Sequence, residues 1–542
     1  LLPGGTRRKV SIVSHGGVLL PLVRTLTSIL LLVSIVGANP IDQERATEDV
    51  ANRLIEFAKA WKKGDAAKMR GFMAKEVLEA AWPKKWDDFA DAPLGKVMRV
   101  PHVAPTPQRI RRHEASKELI RFAKMHKKIE HLSLQPTRSI VGDRRMQIEA
   151  KLEIVGVGAK GERLWTRAKI GMMVIRGAII DIRPLGIETR VVLKPPFTEV
   201  GLDVGFVGID PPALKHPTLG LAAYGAAAAD VDGDGDIDLF STGHDGNTLF
   251  VNEGDGKYAA VAVPTPRQAT APLFLDYDND GDADLFCSCN GEQMLLENQG
   301  ELKFVDISKQ AGIAVKSIGF TATAGDINGD GVPDIYVAAY NNYGPVAPAS
   351  WDDAENGLPN LLFVSNGDGT YTECATQWGV AGQRWSYAAQ FLDFDGDGKL
   401  DLYVANDFGA GNRLYLHRGD KFEDAAKAWG VWDGGYGMGV EFGDYDNDGV
   451  LDLYVTKMSS TAGNRLLDKL GTLANRGRLL DLASGNALYR GLGDKFEDAT
   501  SKAGPFPAGW SWGAGFVDID NDGFEDIYSP NGHFSGKLQR DT

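Results

Sequence analysis

Six times between residues 230 and 526 the chain repeats one nine-residue pattern, Asp-x-Asp/Asn-x-Asp-Gly-x-x-Asp. The copies begin at Asp230, Asp276, Asp326, Asp393, Asp444 and Asp518, at spacings of 46, 50, 67, 51 and 74 residues. A period near 50 points to a propeller or array in which each unit needs its neighbours, not to a string of independent domains.

The pattern has the chemistry of a hard-cation loop. Carboxylate or amide oxygens stand at positions 1, 3, 5 and 9: Asp230, Asp232, Asp234 and Asp238 in the first copy, Asp276, Asp278, Asp280 and Asp284 in the second. Asp326, Asn328, Asp330 and Asp334 follow, then Asp393, Asp395, Asp397 and Asp401. The last two sets are Asp444, Asp446, Asp448 and Asp452, and Asp518, Asp520, Asp522 and Asp526. With a backbone carbonyl from position 7, such a set surrounds Ca²⁺ at about 2.3–2.6 Å. Position 7 is Asp236, Asp282, Val332, Lys399, Val450 or Phe524, a variety that a backbone ligand permits. Glycine at position 6 allows the sharp turn. Up to six Ca²⁺ ions are expected. Mg²⁺ fits less well, because it favours a tight octahedron that keeps several waters.

An EF-hand is excluded. Its twelfth position needs a bidentate Glu, and here that position holds Ser241, Cys287, Val337, Val404, Val455 and Ser529. The flanks are strand-like: Leu239-Phe240, Ile335-Tyr336 and Leu453-Tyr454 follow their loops, and small residues such as Tyr224–Ala229 precede them. A second element alternates with the loops, as in Asn412-Arg-Leu-Tyr415 … Gly419-Asp-Lys-Phe422, and reads as a hairpin. Loop pair plus hairpin makes four strands, one blade of a β-propeller, with the small-residue strand innermost.

These loops resemble the FG-GAP/VCBS repeats of integrin-α-like β-propellers. The hairpins Asn412–Ala425 and Asn486–Ala499 bring the chain closest to the cartilage acidic protein and ASPIC/UnbV group. The resemblance covers roughly 197–542 and implies a mainly β fold: a calcium-loop propeller with six visible repeats, seven blades in a complete chain. It also implies export and a role in adhesion or matrix interaction. The sixth loop has no hairpin after it, and Phe197–Phe206 reads as the last strand of such a hairpin placed ahead of the first loop. Either that strand closes the ring, or the chain is a fragment lacking its last blade, which is the preferred reading.

Charge divides the chain in three. Residues 1–40 carry four basic and no acidic residues, 41–200 carry 32 basic and 21 acidic, and 201–542 carry 22 basic and 52 acidic. The last part, at net −30, excludes nucleic acid as its partner. Empty loops would hold carboxylates in mutual repulsion, and six Ca²⁺ would bring the propeller to −18. Leu26–Val36, behind Arg24 and ahead of Gly37-Ala38, reads as an export signal spanning 1–38, with Val36 and Ala38 at its cleavage positions. It falls short of the ~20 residues of a membrane-spanning helix, so an uncleaved anchor is the alternative and the only expected tie to a membrane.

Residues 41–190 read as a small basic α+β domain. Val50, Leu54, Phe57 and Trp61 recur at helical spacing, a second helix is expected over Ala66–Ala81 and a third over Glu114–Lys128, with strands over Ile129–Leu134, Met146–Val155, Arg163–Ile175 and Ala178–Ile182. The opening Leu54–Met69 resembles nuclear transport factor 2-like domains. His102, His113, His126 and His131 lack metal-ligand spacing and read as surface or satisfied core residues, and Arg109, Arg111 and Arg112 as a solvated face. Cys287, Cys289 and Cys374 read as thiols, a disulfide to Cys374 being the alternative.

No catalytic constellation emerges. The expected function is an exported calcium-binding module for adhesion, binding or scaffolding, with an unidentified protein or glycan as partner and calcium mainly structural. Two alternatives stand: a calcium-dependent polysaccharide lyase on the propeller, or ligand binding by the α+β domain. A lyase needs a base, and His216, His244, His417 and His533 have no evident partner. Trp378, Trp385, Tyr387, Trp429, Trp432, Tyr436, Trp510 and Trp512 are expected between blades, with sugar stacking as the alternative. Asn341–Leu358 and Thr461–Leu482 are the longest additions to the repeat and the expected partner surfaces.

Overall fold

Leu54, Phe57, Ala58 and Trp61 line the buried side of helix α1 (Pro40–Lys63) in the computed structural model. The structure describes residues 40–79, 82–83, 90–92, 95–100, 107–142, 145–192, 200–206, 225–243, 247–263, 265, 269–341, 346–460, 476–482, 484–503 and 509–530. The expected export signal lies outside them. No described helix is long and apolar enough to cross a membrane. The chain divides into two compact units, 1–195 and 196–542.

In the first unit Asp65 caps helix α2 (Ala66–Gly71), its Oδ1 accepting from Lys68 N at 2.9 Å. The helix expected to run to Ala81 stops there. Met73, Val77 and Glu79 are buried on one side, with Lys75 between them exposed, and Met73–Glu79 is strand β1. The remaining elements are β2 (Ala90–Ala92), β3 (Gly95–Val100), β4 (Gln108–Arg111), α3 (Arg112–Ala123), β5 (Lys128–Val141), β6 (Arg145–Val157), β7 (Arg163–Ile175) and β8 (Ala178–Val192). The sheet runs β2-β3-β8-β7-β6-β5, and β1 joins it parallel to β8 and antiparallel to β4. Strict alternation along β6 sends Ile148, Ala150, Leu152 and Ile154 into one core with Phe57, Trp61 and Phe122. Trp61 packs edge-on to Trp82 at 5.9 Å, and its Nε1 donates to Leu119 O at 2.6 Å.

The second unit is a succession of four-stranded antiparallel sets, of which the second and third join into one eight-stranded sheet where Asn290–Glu292 pairs with Lys316–Ile318. Their strands are 226–229, 238–241, 248–252 and 258–262; 269–275, 284–292, 294–298 and 304–306; 316–325, 334–339, 361–365 and 371–373. A fourth sheet holds 386–392, 401–406, 413–417 and 422–424, and a fifth 437–443, 452–457, 487–491 and 496–498. The pair 515–517 and 526–528 comes last. First strands of successive sheets lie against one another. The second strands of the second to fifth sets are buried on both faces and so supply two cores. Leu285 and Cys287 face the first sheet's Phe240 and Leu249, whereas Phe286 packs with Ile335 and Phe363 of the third.

Two hairpin exit turns hydrogen-bond to the next set's last strand. Tyr371 N donates to Ala311 O at 2.8 Å, and Phe496 N to Trp429 O at 2.9 Å. Gly312 sits at this junction with φ +79°, where a Cβ would come 2.6 Å from Tyr371 O. Tyrosines after the loops hold the same turns: Tyr336 OH donates to Val380 O and Tyr403 OH to Val431 O. Residues 200–206 correct one expectation. Gly201–Val204 is a short helical turn, not strand, and Phe206 packs on Phe250 and Tyr258 in the first sheet as another exit turn. Residues 197–199 lie outside the described residues.

Candidate metal centres

Each Asp loop joins the first and second strands of its sheet, so both loop ends are held by strand pairing. Within the loop, position 1 folds the chain around itself. Asp230 Oδ1 accepts from Gly233 and Asp234 N–H and its Oδ2 from Gly235 N–H at 2.9 Å. The bond to the position-6 N–H recurs in all six copies. The position-5 carboxylate accepts the position-7 N–H in every copy. Position 7 thus engages through its backbone N–H, whatever its side chain. Two residues per loop have positive φ: the position-6 glycines, and position 4, which is Gly or Asn throughout (Asn279, Asn447 and Asn521 at 60°, 56° and 56°). That restriction at position 4 is legible in the sequence and marks a left-handed turn.

These turns gather acids. Asp230, Asp232 and Asp234 offer oxygens within 4.8 Å of one another, as do Asp276, Asp278 and Asp284; Asp393, Asp395 and Asp401; Asp444, Asp446 and Asp452; and Asp518, Asp520 and Asp526. Asp238 in the first loop and Asp280, Asp397, Asp448 and Asp522 in the others stand outside these triplets. Asn328 replaces the acid in the third loop, where its Nδ2 donates to Asp330 Oδ2 at 3.0 Å.

Position 9 has a second duty that ligand spacing alone did not reveal. Asp334 is fully buried; its Oδ2 accepts from Ile327 N at 2.8 Å and its Oδ1 from Ser365 N, on the third strand, at 2.7 Å. Asp238, Asp284, Asp401 and Asp452 make the same two bonds, which staple loop to sheet. Burial pushes the carboxyl of Asp284 up to about 7 and those of Asp334 and Asp452 up to about 6. Burial, then neighbouring acids, also raises Asp232 and Asp520.

The donor set fits a hard divalent cation. It is all oxygen, and the Oδ1 atoms of Asp395, Asp446 and Asp520 are buried without a hydrogen-bond partner. A cation would satisfy those oxygens and relieve the repulsion.

Other candidates resolve differently. His417 is buried, stacked on Phe422 at 5.1 Å with Nε2 2.7 Å from Gly419 O, a core residue and not a base at a cleft. His216, His244, His533 and His102 lie outside the described residues. His126 is buried against Thr166, while His113 and His131 are exposed. Trp378 and Trp385 are buried; Tyr387, Trp429, Trp432, Tyr436, Trp510 and Trp512 are half-buried. Cys287 and Cys289 are buried and Cys374 is half-buried, and none of the three is in a disulfide. Arg109 pairs with Glu76 at 3.1 Å on an exposed face. Sequence reading missed Glu79, buried with one unbonded carboxyl oxygen, and Asp181, buried beside Arg183 at 3.0 Å.

Comparison with repeat families falls on this same region. A model of FG-GAP-like repeats matches 230–287, 276–337, 349–404 and 393–455. Cartilage acidic protein 1 of Homo sapiens is 27% identical over 236 residues, covering 42% of this chain and 30% of that protein. The mouse protein matches equally, over 31% of its length. Among solved structures, a lectin of Agrocybe aegerita that recognises terminal N-acetylglucosamine aligns at 14% identity and TM-score 0.30, over 68% of this chain and 78% of the lectin. A nuclear transport factor 2-like protein of Burkholderia xenovorans aligns at 15% and TM-score 0.17, over 26% of this chain and 90% of that one.

Proposed function

We propose that this FG-GAP-repeat protein, related to cartilage acidic protein 1, is an exported calcium-binding β-propeller that serves as a binding or scaffold module. The observation that carries this reading is the convergence of acids in five loops built on one backbone plan. Positions 1, 3, 5 and 9 would hold each Ca²⁺, with the position-7 carbonyl. The ion supplies charge neutralisation and fixes loop geometry, and the loops are spread one per sheet, which suits structural calcium.

Ring closure is supported by the exit turns. Phe206 packs on the first sheet's Phe250 and Tyr258 as Val380 clusters with Phe422 and Val431 with Phe496 of the sheets that follow them, which supports Val200–Phe206 as the exit of a further blade. A seven-bladed ring preceded by a nuclear transport factor 2-like domain is the complete arrangement we propose, and Leu26–Ala38 supplies export.

The partner face lies at the sheet ends opposite the Asp loops. There Trp351, 58% exposed, sits on the insertion 346–358. The helix Arg476–Leu482 reaches the same insertion: Arg478 donates to Asp352 O at 2.7 Å, to Gly434 O at 3.0 Å and to Gly409 O.

Calorimetric titration of chelator-stripped protein with CaCl₂, with thermal unfolding in parallel, tests the reading. Several equivalents should bind, up to six, and the repeat unit should melt higher with calcium, because an ion that binds only the native state stabilises it. A flat titration at millimolar calcium overturns it.

A further inference from the structure

Among the described residues, a side-chain cation reaches two of the six loops. Arg418 Nη2 lies 2.9 Å from Asp395 Oδ2, and its Nη1 3.8 Å from Asp397 Oδ2. Arg490 Nε lies 2.6 Å from Asp446 Oδ2, and its Nη2 2.5 Å from Asp448 Oδ2. Both guanidiniums come from the third strand of the same sheet or the residue just past it, and both meet positions 3 and 5 of their loop. In the first three sheets the corresponding places hold Val251 and Glu253, Glu297 and Gln299, and Val364 and Asn366, all without positive charge.

The arginines do not fill the ligand positions. Asp395 and Asp446 each give Oδ2 to the guanidinium and keep a buried, unbonded Oδ1. A divalent ion can therefore still enter, but it enters beside a fixed positive charge. It must also compete with ion pairs that already relieve the repulsion among the acids. Loop charge adds to the contrast. The first and second loops carry five Asp each, the fourth carries four Asp and Lys399, and the fifth four Asp. Calcium affinity follows the number of ligand charges and the rigidity of the site.

We infer that Arg418 and Arg490 are built-in counter-charges that hold the fourth and fifth loops in a weaker calcium-binding class than the first and second. The inference rests on the calcium reading above. It gives the protein a graded response: the first loops stay loaded while the fourth and fifth exchange ions as calcium varies. Both side chains are more than a third exposed (37% and 38%), so solvent moderates the effect. One unit charge beside a divalent ion in a near-aqueous medium then amounts to about tenfold in affinity per loop.

The test is calorimetric Ca²⁺ titration of the full chain as wild type, Arg418→Gln and Arg490→Gln, with Arg490→Lys as the charge-retaining control. Wild type should bind in two classes. Each Gln variant should move one equivalent from the weaker class to the tighter, about tenfold, and the gain should shrink as NaCl is raised. Arg490→Lys should keep the weak site, which separates charge from the two-pronged guanidinium geometry. Isotherms of the Gln variants that overlay wild type, or weaker binding in them, would overturn this inference and leave calcium binding intact. A flat wild-type titration removes the calcium reading itself.

Discussion

The two units solve the same problem by different means. Residues 40–192 close one continuous core in which Trp61, Phe57, Phe122 and Ile148 share a single space, and most charged side chains pair on the surface as Arg99 and Glu188 do, Glu79 and Asp181 being buried exceptions. The repeats have no such centre. Their cores are small and shared between neighbouring sheets, and each sheet adds a buried carboxylate that ties loop to strand. Small sheets cannot bury enough apolar surface alone, so they rely on neighbours and on polar staples.

Substitutions at the heart of each solution should separate the units most strongly. Trp61→Ala removes a side chain only 1% exposed together with its bond to Leu119 O, and should cost the first unit about 4 kcal/mol whatever the calcium concentration. Asp334→Ala strands two buried N–H groups, those of Ile327 and Ser365, and should cost the repeat unit about 3 kcal/mol even in chelator. Denaturant melts with separate probes for the two units check both. If Trp61→Ala lowers both transitions equally, the units are not energetically distinct. If Asp334→Ala is silent in chelator, position 9 acts only as a ligand.

Acidity should sharpen the contrast further. Burial raises the position-9 carboxyls of Asp284, Asp334 and Asp452 above the unfolded range. A raised carboxyl contributes stability fully below its unfolded pKa and loses it as pH climbs through the folded one. In chelator the repeat unit should therefore gain stability from about pH 7 down to about pH 4. Calcium should reverse the trend, because the ion requires deprotonated ligands. In the first unit the two most strongly shifted groups oppose each other. Burial raises Glu79 to about 8, so its contribution grows on acidification. Burial lowers His126 to about 4, so its contribution is present above about pH 6.5 and lost towards 4. Between about pH 4.5 and 6.5 the two offset each other, and the first unit's midpoint should stay nearly level. Melting both units in EGTA across this window checks the sign. A repeat unit that weakens on acidification contradicts the buried position-9 carboxyls.

The legible parts were those in which residue type and period carry the same message. Asp at position 9 in every loop, Gly at 6 and Leu/Ile-Tyr/Phe afterwards gave the loop, its turn and its strand together. Arg163–Ile175 matches β7 end to end because its apolar residues alternate without interruption. Ala66–Ala81 reads as helix because Ala66–Gly71 is one, while alternation in burial sets in only at Val77 and leaves no clean strand period in the sequence. Position 9 as a staple was illegible for a different reason. Its partners Ser365 and His417 lie 31 and 16 residues away, and backbone N–H groups leave no trace in residue identity. Arg418 and Arg490 were hidden similarly, since they sit at different offsets along their third strands and meet the acids only after the sheet has formed.

The finest distinction between the units concerns turns. Gly64 ends α1 at φ +68°, and the nearest atom to an added Cβ is Ile120 Cγ2 at 3.9 Å. Gly64→Ala should therefore cost only the left-handed strain, about 1 kcal/mol. Gly312 has a similar φ, but its Cβ would come 2.6 Å from Tyr371 O, a backbone atom held by its own sheet. Gly312→Ala should cost roughly 1–3 kcal/mol more than Gly64→Ala, since the exit turn must lift off the neighbouring strand. The repeat transition should broaden as well, because the contact that fails couples one sheet to the next. Equal, small losses at both positions would mean that the exit turns rest on the next sheet without binding it, and that coupling around the array comes from the apolar cores alone.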